Sequence, residues 1–362
     1  MPTGKNFERL LLEGAFPDAP AIDSFQSKLI SWFEENQARY PWRETRDPYA
    51  ILVSELMLQQ TRIATVLERG YYIRWMKRFP DWKSLARADE EEILKAWEGL
   101  GYYNRARNLQ KAAQVICDQY DGFMPSDHGE IMALPGVGPY TAGAVCSFAF
   151  GKRAAIVDGN VIRVLARIFS FEDPVDTPSA KKAFWRWAED LTPDQNFAAY
   201  NSGIMELGQK VCLKGAPRCG DCPVSGHCRT AHSQLAAELP RKSKKATVTH
   251  TSERVALAIV SGKILLEKEE GGRRKGMWKL PELPEELAAD SEEWIRCSYA
   301  ITRYKVELMV FLPAPASREC LARKTNTSWF FFNDNMEDLP PLGSPYRKVI
   351  TRWLDESLEN LI

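Results

Sequence analysis

The 362-residue sequence contains no long uninterrupted apolar run. Met1 to Pro20 has no stretch the length of a secretory-signal core, and nothing further along approaches the roughly 20 apolar residues of a membrane-spanning helix. A cytoplasmic, nucleoid-associated location with no membrane partner is therefore expected. Net charge is missing too, with 48 Lys and Arg against 48 Asp and Glu. That balance excludes a protein that coats nucleic acid by bulk attraction, but not a local basic face. No internal repeat or low-complexity tract is apparent. In a reducing compartment the eight cysteines are not a disulfide framework, so a cluster of four among them points to a metal.

What is present suits a folded chain. With 44% apolar and 27% charged residues it can bury a core, and its length exceeds what one core supports, so two domains are expected. From Ala21 to about Ala231 apolar residues recur at three and four, broken by turns such as Phe79-Pro80-Asp81, with little strand signal. Around Pro240 to Thr251, Arg241, Lys242, Lys244 and Lys245 read as a solvated linker. Beyond it, Arg254 to Ile259 with Lys263 to Glu267, then Lys305 to Leu312 and Trp329 to Phe332, read as strands, and Ser344 to Ile362 as an amphipathic helix. The fold class is a mainly α N-terminal part joined to a smaller α+β part.

Cys212, Cys219, Cys222 and Cys228 form C-x6-C-x2-C-x5-C, four thiolates that can surround one ion or one cluster. Four-cysteine zinc sites are common but usually pair two C-x2-C knuckles, and only one is present; iron–sulfur clusters accept uneven spacings. Leu134-Pro135-Gly136-Val137-Gly138-Pro139-Tyr140-Thr141-Ala142 joins two helices by a glycine-rich turn that bares backbone N–H groups to an anion such as phosphate. About twenty residues later comes Val157-Asp158-Gly159-Asn160-Val161, where Asp158 suits a helix N-cap. Glu55 lies between Ile51 and Leu58 at helical spacing, on an apolar stripe. A glutamate there is either satisfied by a buried arginine or held protonated by burial. Gly99 to Asn108 places Leu100 and Tyr102, either core residues or apolar and aromatic wedges, beside Arg105 and Arg107.

These motifs, with the string Pro48 to Thr61, resemble the adenine DNA glycosylase (MutY) family of the helix-hairpin-helix superfamily over nearly the whole chain. The resemblance implies a helical glycosylase domain at 21–235 with its hairpin at 134–142 and a [4Fe-4S] loop at 212–228, a basic linker at 236–252, and a Nudix-like domain at 253–362. It implies a monomeric, monofunctional enzyme that removes adenine paired with 8-oxoguanine or guanine in duplex DNA and leaves an abasic site. Glu55 is then the general acid, Asp158 the anion facing the developing positive charge at C1′, and Asn160 its companion in the signature. Tyr140 stands where bifunctional relatives carry a Schiff-base lysine. Gln59, Gln60, Thr61, Leu100, Tyr102, Gly136, Val137 and Gly138 would contact DNA. In the last domain the family's Phe-Ser-His loop is replaced by Ile301-Thr302-Arg303, leaving Thr302 and Arg303 to meet the opposite base with less discrimination. No Nudix hydrolase glutamate motif is visible, so pyrophosphatase activity is not expected.

Overall fold

In the computed structural model, residues 19–243, 247–333 and 336–359 are described. The N-terminal segment read above for a signal core lies outside them up to residue 18, as do Lys244 and Lys245 of the expected linker and the end of the expected terminal helix. The helices are α1 Ala19–Asn36, α2 Pro48–Leu58, α3 Ile63–Glu68, α4 Tyr71–Arg78, α5 Trp82–Arg87, α6 Glu90–Ala96, α7 Asn104–Gln119, α8 His128–Ala133, α9 Pro139–Phe148, α10 Gly159–Ile168, α11 Pro178–Leu191, α12 Phe197–Lys210 and the short α13 Gln234–Glu238. After these come β1 Thr249–Ala256, β2 Ile259–Val260, β3 Lys263–Lys268, β4 Trp278–Lys279, α14 Glu285–Ala288, β5 Glu292–Ile301, β6 Tyr304–Leu312, α15 Pro315–Ala322, β7 Thr327–Phe331 and α16 Ser344–Glu359. The expected class, helices first and an α+β segment last, is what the chain forms. Among the described residues no helix is long and apolar enough to cross a membrane.

The chain divides into two compact units, Met1–Gln59 with Val115–Lys245 and Gln60–Gln114 with Ala246–Ile362. This grouping differs from the sequence-derived segments, because α6 and the turn after it are tied to the C-terminal part by long-range polar contacts. Arg347 grips Glu98, Lys268 reaches Glu91 at 3.3 Å, and Lys95 donates to the Leu339 carbonyl.

In the first unit, apolar residues at helical spacing turn one face of each helix inward. Phe25 and Leu29 of α1, Val164 and Leu165 of α10, Phe184 and Trp187 of α11, and Ile204 and Leu207 of α12 form one buried cluster. α9 packs close to the segment before α10, where a Cβ on Gly143 would stand 2.3 Å from the Ala155 carbonyl oxygen. The expected basic linker is tied down in part. Arg241 pairs with Glu172 and Glu238, each at 3.1 Å, and Ser243 binds Asp176.

The second unit holds two sheets. In one the order is β1-β6-β5, with β1 parallel and β5 antiparallel to β6; in the other β3 is central to β2, β4 and β7. Along β6, Val306, Leu308 and Val310 are buried while Lys305 and Glu307 are exposed, the period-two alternation of a strand with one covered face. Tyr346, Val349 and Ile350 of α16 close the core of this sheet.

Candidate active site

α2 begins on Asp47, whose carboxylate accepts from the Tyr49 N–H, with Pro48 at the first helical position. The helix is apolar on nearly every face, so Glu55 in its third turn is carried inside and is only 7% exposed. Burial pushes its carboxyl up to about 7, and the Asp158 charge adds to the rise; a hydrogen bond from Tyr140 and the Arg43 charge oppose it.

α10 begins on Asp158. One carboxylate oxygen accepts from the N–H groups of Asn160 at 2.8 Å and Val161 at 2.7 Å, and the other accepts from Asn160 Nδ2 at 2.7 Å. Asp158 is thus both the helix cap and a half-buried anion facing Glu55. Burial raises its pKa, against the pull of those three hydrogen bonds. Asn160 is held in turn by Arg163, whose guanidinium donates to Asn160 Oδ1 at 2.9 Å.

Tyr140 lies in the first turn of α9, which starts on Gly138 without a side-chain cap, after a left-handed turn at Gly136 (φ 78°). The phenol donates to Met205 Sδ at 3.4 Å and stands beside Glu55 and Asp158, which with burial push its pKa well above the ordinary value. Next to it, Gln59 Nε2 donates to Thr141 Oγ1 at 3.3 Å. Glu55, Asp158, Tyr140 and Asn160, drawn from α2, α9 and α10, therefore meet in one polar cluster within the first unit.

Two residues of this neighbourhood escaped the sequence reading. Arg43, in the short 3-10 turn Pro41–Arg43, pairs with Glu206 of α12 at 2.6 Å. Glu206 is 1% exposed and also accepts from the Ala38 N–H at 3.0 Å. The arginine-satisfied buried glutamate considered for Glu55 is found here instead. Its signal was a glutamate between Ile204 and Leu207, the same intrusion of charge on an apolar stripe that singled out Glu55.

The remaining expected contacts lie partly elsewhere. Val137 is buried and Gly136 exposed in the hairpin of the first unit. In the second unit Gln60 is exposed at φ 57°, and Thr61 Oγ1 lies 3.4 Å from an Arg105 nitrogen. Leu100 is buried, whereas Tyr102 is 52% exposed at φ 48°. Gly99 precedes it at φ 94°, where a Cβ would collide with the Tyr71 hydroxyl. Arg105 donates to the carbonyls of Leu100 and Gly101, both at 2.9 Å, and sits over the rings of Trp97 and Tyr102. Thr302 and Arg303 form the exposed two-residue turn between β5 and β6, where Ile301 pairs with Tyr304.

Cys212 follows α12, and Cys219, Cys222 and Cys228 lie in the loop beyond it. Each of the four thiols lies within electrostatic reach of others in the set, and Cys212, Cys222 and Cys228 pack against the apolar cluster of the first unit. Arg167, buried in α10, donates to Cys212 Sγ at 3.0 Å. Among the described residues no three His, Cys, Asp or Glu side chains close on the geometry of a single ion.

An acid and an anion buried together on a helix-hairpin-helix scaffold define a base-excision enzyme, and residues 53–190 match the HhH-GPD superfamily base excision DNA repair protein. The chain is 34% identical to the adenine DNA glycosylase of Buchnera aphidicola subsp. Baizongia pistaciae, over 70% of this chain and 71% of that protein. It is 41% identical to the adenine DNA glycosylase of Mus musculus, over 59% of this chain but only 43% of the mouse protein. A thermostable thymine-DNA glycosylase superposes with a TM-score of 0.52 at 32% identity, covering 57% of this chain and 95% of that one. The chain belongs to the adenine DNA glycosylase family.

Proposed function

We propose that this protein hydrolyses the N-glycosidic bond of adenine mispaired with 8-oxoguanine or guanine in duplex DNA and leaves an abasic site. The observation that carries the reading is the pairing of a buried Glu55, protonated up to about pH 7, with an Asp158 anchored by three hydrogen bonds. Glu55 donates its proton to N7 of the flipped adenine, so the base leaves neutral. Asp158 faces C1′ and stabilises the cationic sugar as the bond lengthens. A water then adds its oxygen to C1′ and its proton goes to ionised Glu55, which restores the acid. Tyr140 has no amine for a Schiff base, so the strand stays uncut. Asn160 holds Asp158 in place.

In the first unit the N–H groups of Gly136 and Gly138 and the start of α9 suit a backbone phosphate; in the second unit the exposed Gln60 and Tyr102 suit contact with bases of the duplex. Residues 21–235 form the glycosylase domain, 236–252 the linker, and 253–362 a Nudix-like domain that meets the opposite base through Thr302 and Arg303. The protein acts as a monomer in the cytoplasm at the nucleoid.

Cys212, Cys219, Cys222 and Cys228 would hold a [4Fe-4S] cluster. What supports this over zinc is the single C-x2-C knuckle in an unevenly spaced set, whose thiols lie within electrostatic reach of one another. Arg167 supplies a cation against thiolate charge. When bound, the cluster pins the loop and adds no step to the hydrolysis. Cys222→Ser should lose the visible iron–sulfur absorption; a colourless native protein with stoichiometric zinc contradicts the assignment.

Single-turnover cleavage of duplexes bearing A opposite 8-oxoguanine, A opposite G and T opposite G tests the function. Release of adenine from the first two supports it. Preferential release of thymine would transfer the protein to the specificity of its thymine-glycosylase likeness.

A further inference from the structure

We propose that Met205 is a positioning residue for the proton donor: its thioether gives the Tyr140 hydroxyl proton a second resting place, and so weakens the pull of Tyr140 toward the ionised form of Glu55. The proposal rests on Glu55 being the general acid.

A phenol carries one proton, and two acceptors flank that of Tyr140: the Glu55 carboxylate, and Met205 Sδ at 3.4 Å. When Glu55 is ionised, the charge-assisted bond to carboxylate draws the proton away from the sulfur, a weak acceptor. When Glu55 is protonated it becomes a donor itself. The phenol oxygen accepts from it without conflict only if the phenol proton points elsewhere, and the sulfur lies in that direction. Without the sulfur, a largely buried O–H would either go unpaired or compete with the Glu55 proton, and both outcomes penalise the acid form alone. Met205 therefore biases the pair toward the state that can donate to a base.

The other charged groups facing Glu55 come from different elements. Asp158 stands at the start of α10 and raises its pKa, while Arg43, from the 3-10 turn, lowers it and is itself paired to Glu206. Their influence on Glu55 is common to Met205 variants of similar shape. Leu keeps the volume of Met and removes the acceptor; Gln keeps the length and replaces the sulfur with a stronger oxygen acceptor.

The test is the pH dependence of single-turnover adenine release by the full-length, cluster-loaded protein and by Met205→Leu, Met205→Gln and Glu55→Gln. Met205→Leu should move the alkaline limb down by about half a pH unit, cutting excision above neutrality about threefold while the low-pH plateau holds. Met205→Gln should keep the native limb or move it up. With Tyr140→Phe in place there is no phenol proton to park, so adding Met205→Leu should move the limb no further. A lowered plateau with an unmoved limb, or Leu and Gln acting alike, would mean that Met205 only packs and overturns the proposal. Retained excision by Glu55→Gln overturns the general-acid reading and this inference with it; an inactive Glu55→Gln beside an unmoved Met205→Leu limb overturns this inference alone.

Discussion

Replacing Glu55 by Gln should stabilise the protein as it removes turnover. The Glu55 carboxyl lies at about 7 in the folded chain against an ordinary 4.5, so the folded state holds its proton more tightly than the unfolded state does. The stability linked to that proton is complete below the unfolded value and is lost as pH rises through the folded one. Above neutrality the buried carboxylate costs about 3 kcal/mol, since each pH unit between the two values is worth about 1.4 kcal/mol. Gln has the same shape and no charge to bury. Thermal unfolding of native protein and Glu55→Gln should give nearly equal midpoints at about pH 4 and diverge by about 6–12 °C in favour of the variant at about pH 8, at about 2–4 °C per kcal/mol for a unit of 150–250 residues. Excision should meanwhile fall about 10²- to 10⁴-fold, the usual weight of a general acid. A difference in midpoint that stays constant across this pH range would refute the claim that Glu55 is buried and protonated near neutrality.

Asp158→Asn should keep α10 intact within about 1 kcal/mol, because Asn caps a helix as well as Asp, while excision drops about 10²- to 10³-fold; circular dichroism and single-turnover rates separate the two effects. Tyr140→Lys should yield a DNA adduct trapped by borohydride and some strand cutting, and a folded variant that gives no adduct would contradict the placement of this side chain near C1′. Ile301→Phe/Thr302→Ser/Arg303→His should raise the preference for 8-oxoguanine over guanine by about tenfold, the worth of one restored hydrogen-bonding contact. An unchanged preference at two salt concentrations would mean that a different segment reads the opposite base.

Much of this was legible in the sequence where the signal is local. The helices of the first unit follow from apolar spacing, and Asp158 announced its cap by the Gly-Asn that follows it. β5 was not seen, because its residues are half-exposed on one face and exposed on the other, which blurs the alternation that reveals a strand. The Arg43–Glu206 pair joins positions 163 residues apart, and no window of sequence contains both. The attachment of residues 60–114 to the C-terminal part rests on single ion pairs such as Glu98 with Arg347, whose partners look like ordinary surface charges until the chain is folded. Leu100 and Tyr102 read alike as wedges, yet backbone twist buries one and exposes the other.

The loop carrying Tyr102 is held in shape by groups of the protein itself. Its left-handed backbone, costing about 1–2 kcal/mol for a residue with a side chain, is held by Arg105 on two carbonyls and by the Trp97 indole donating to the Gly101 carbonyl at 3.2 Å. On the wedge reading, a protein that must interrogate very many ordinary base pairs for each defect carries a probe that needs no refolding between trials. Each encounter then costs only the local opening of the duplex, and the dwell time at an undamaged step is set by DNA stacking rather than by loop ordering. Search speed along the genome would in this way be fixed when the chain folds, by an arginine bound to the loop's own carbonyls.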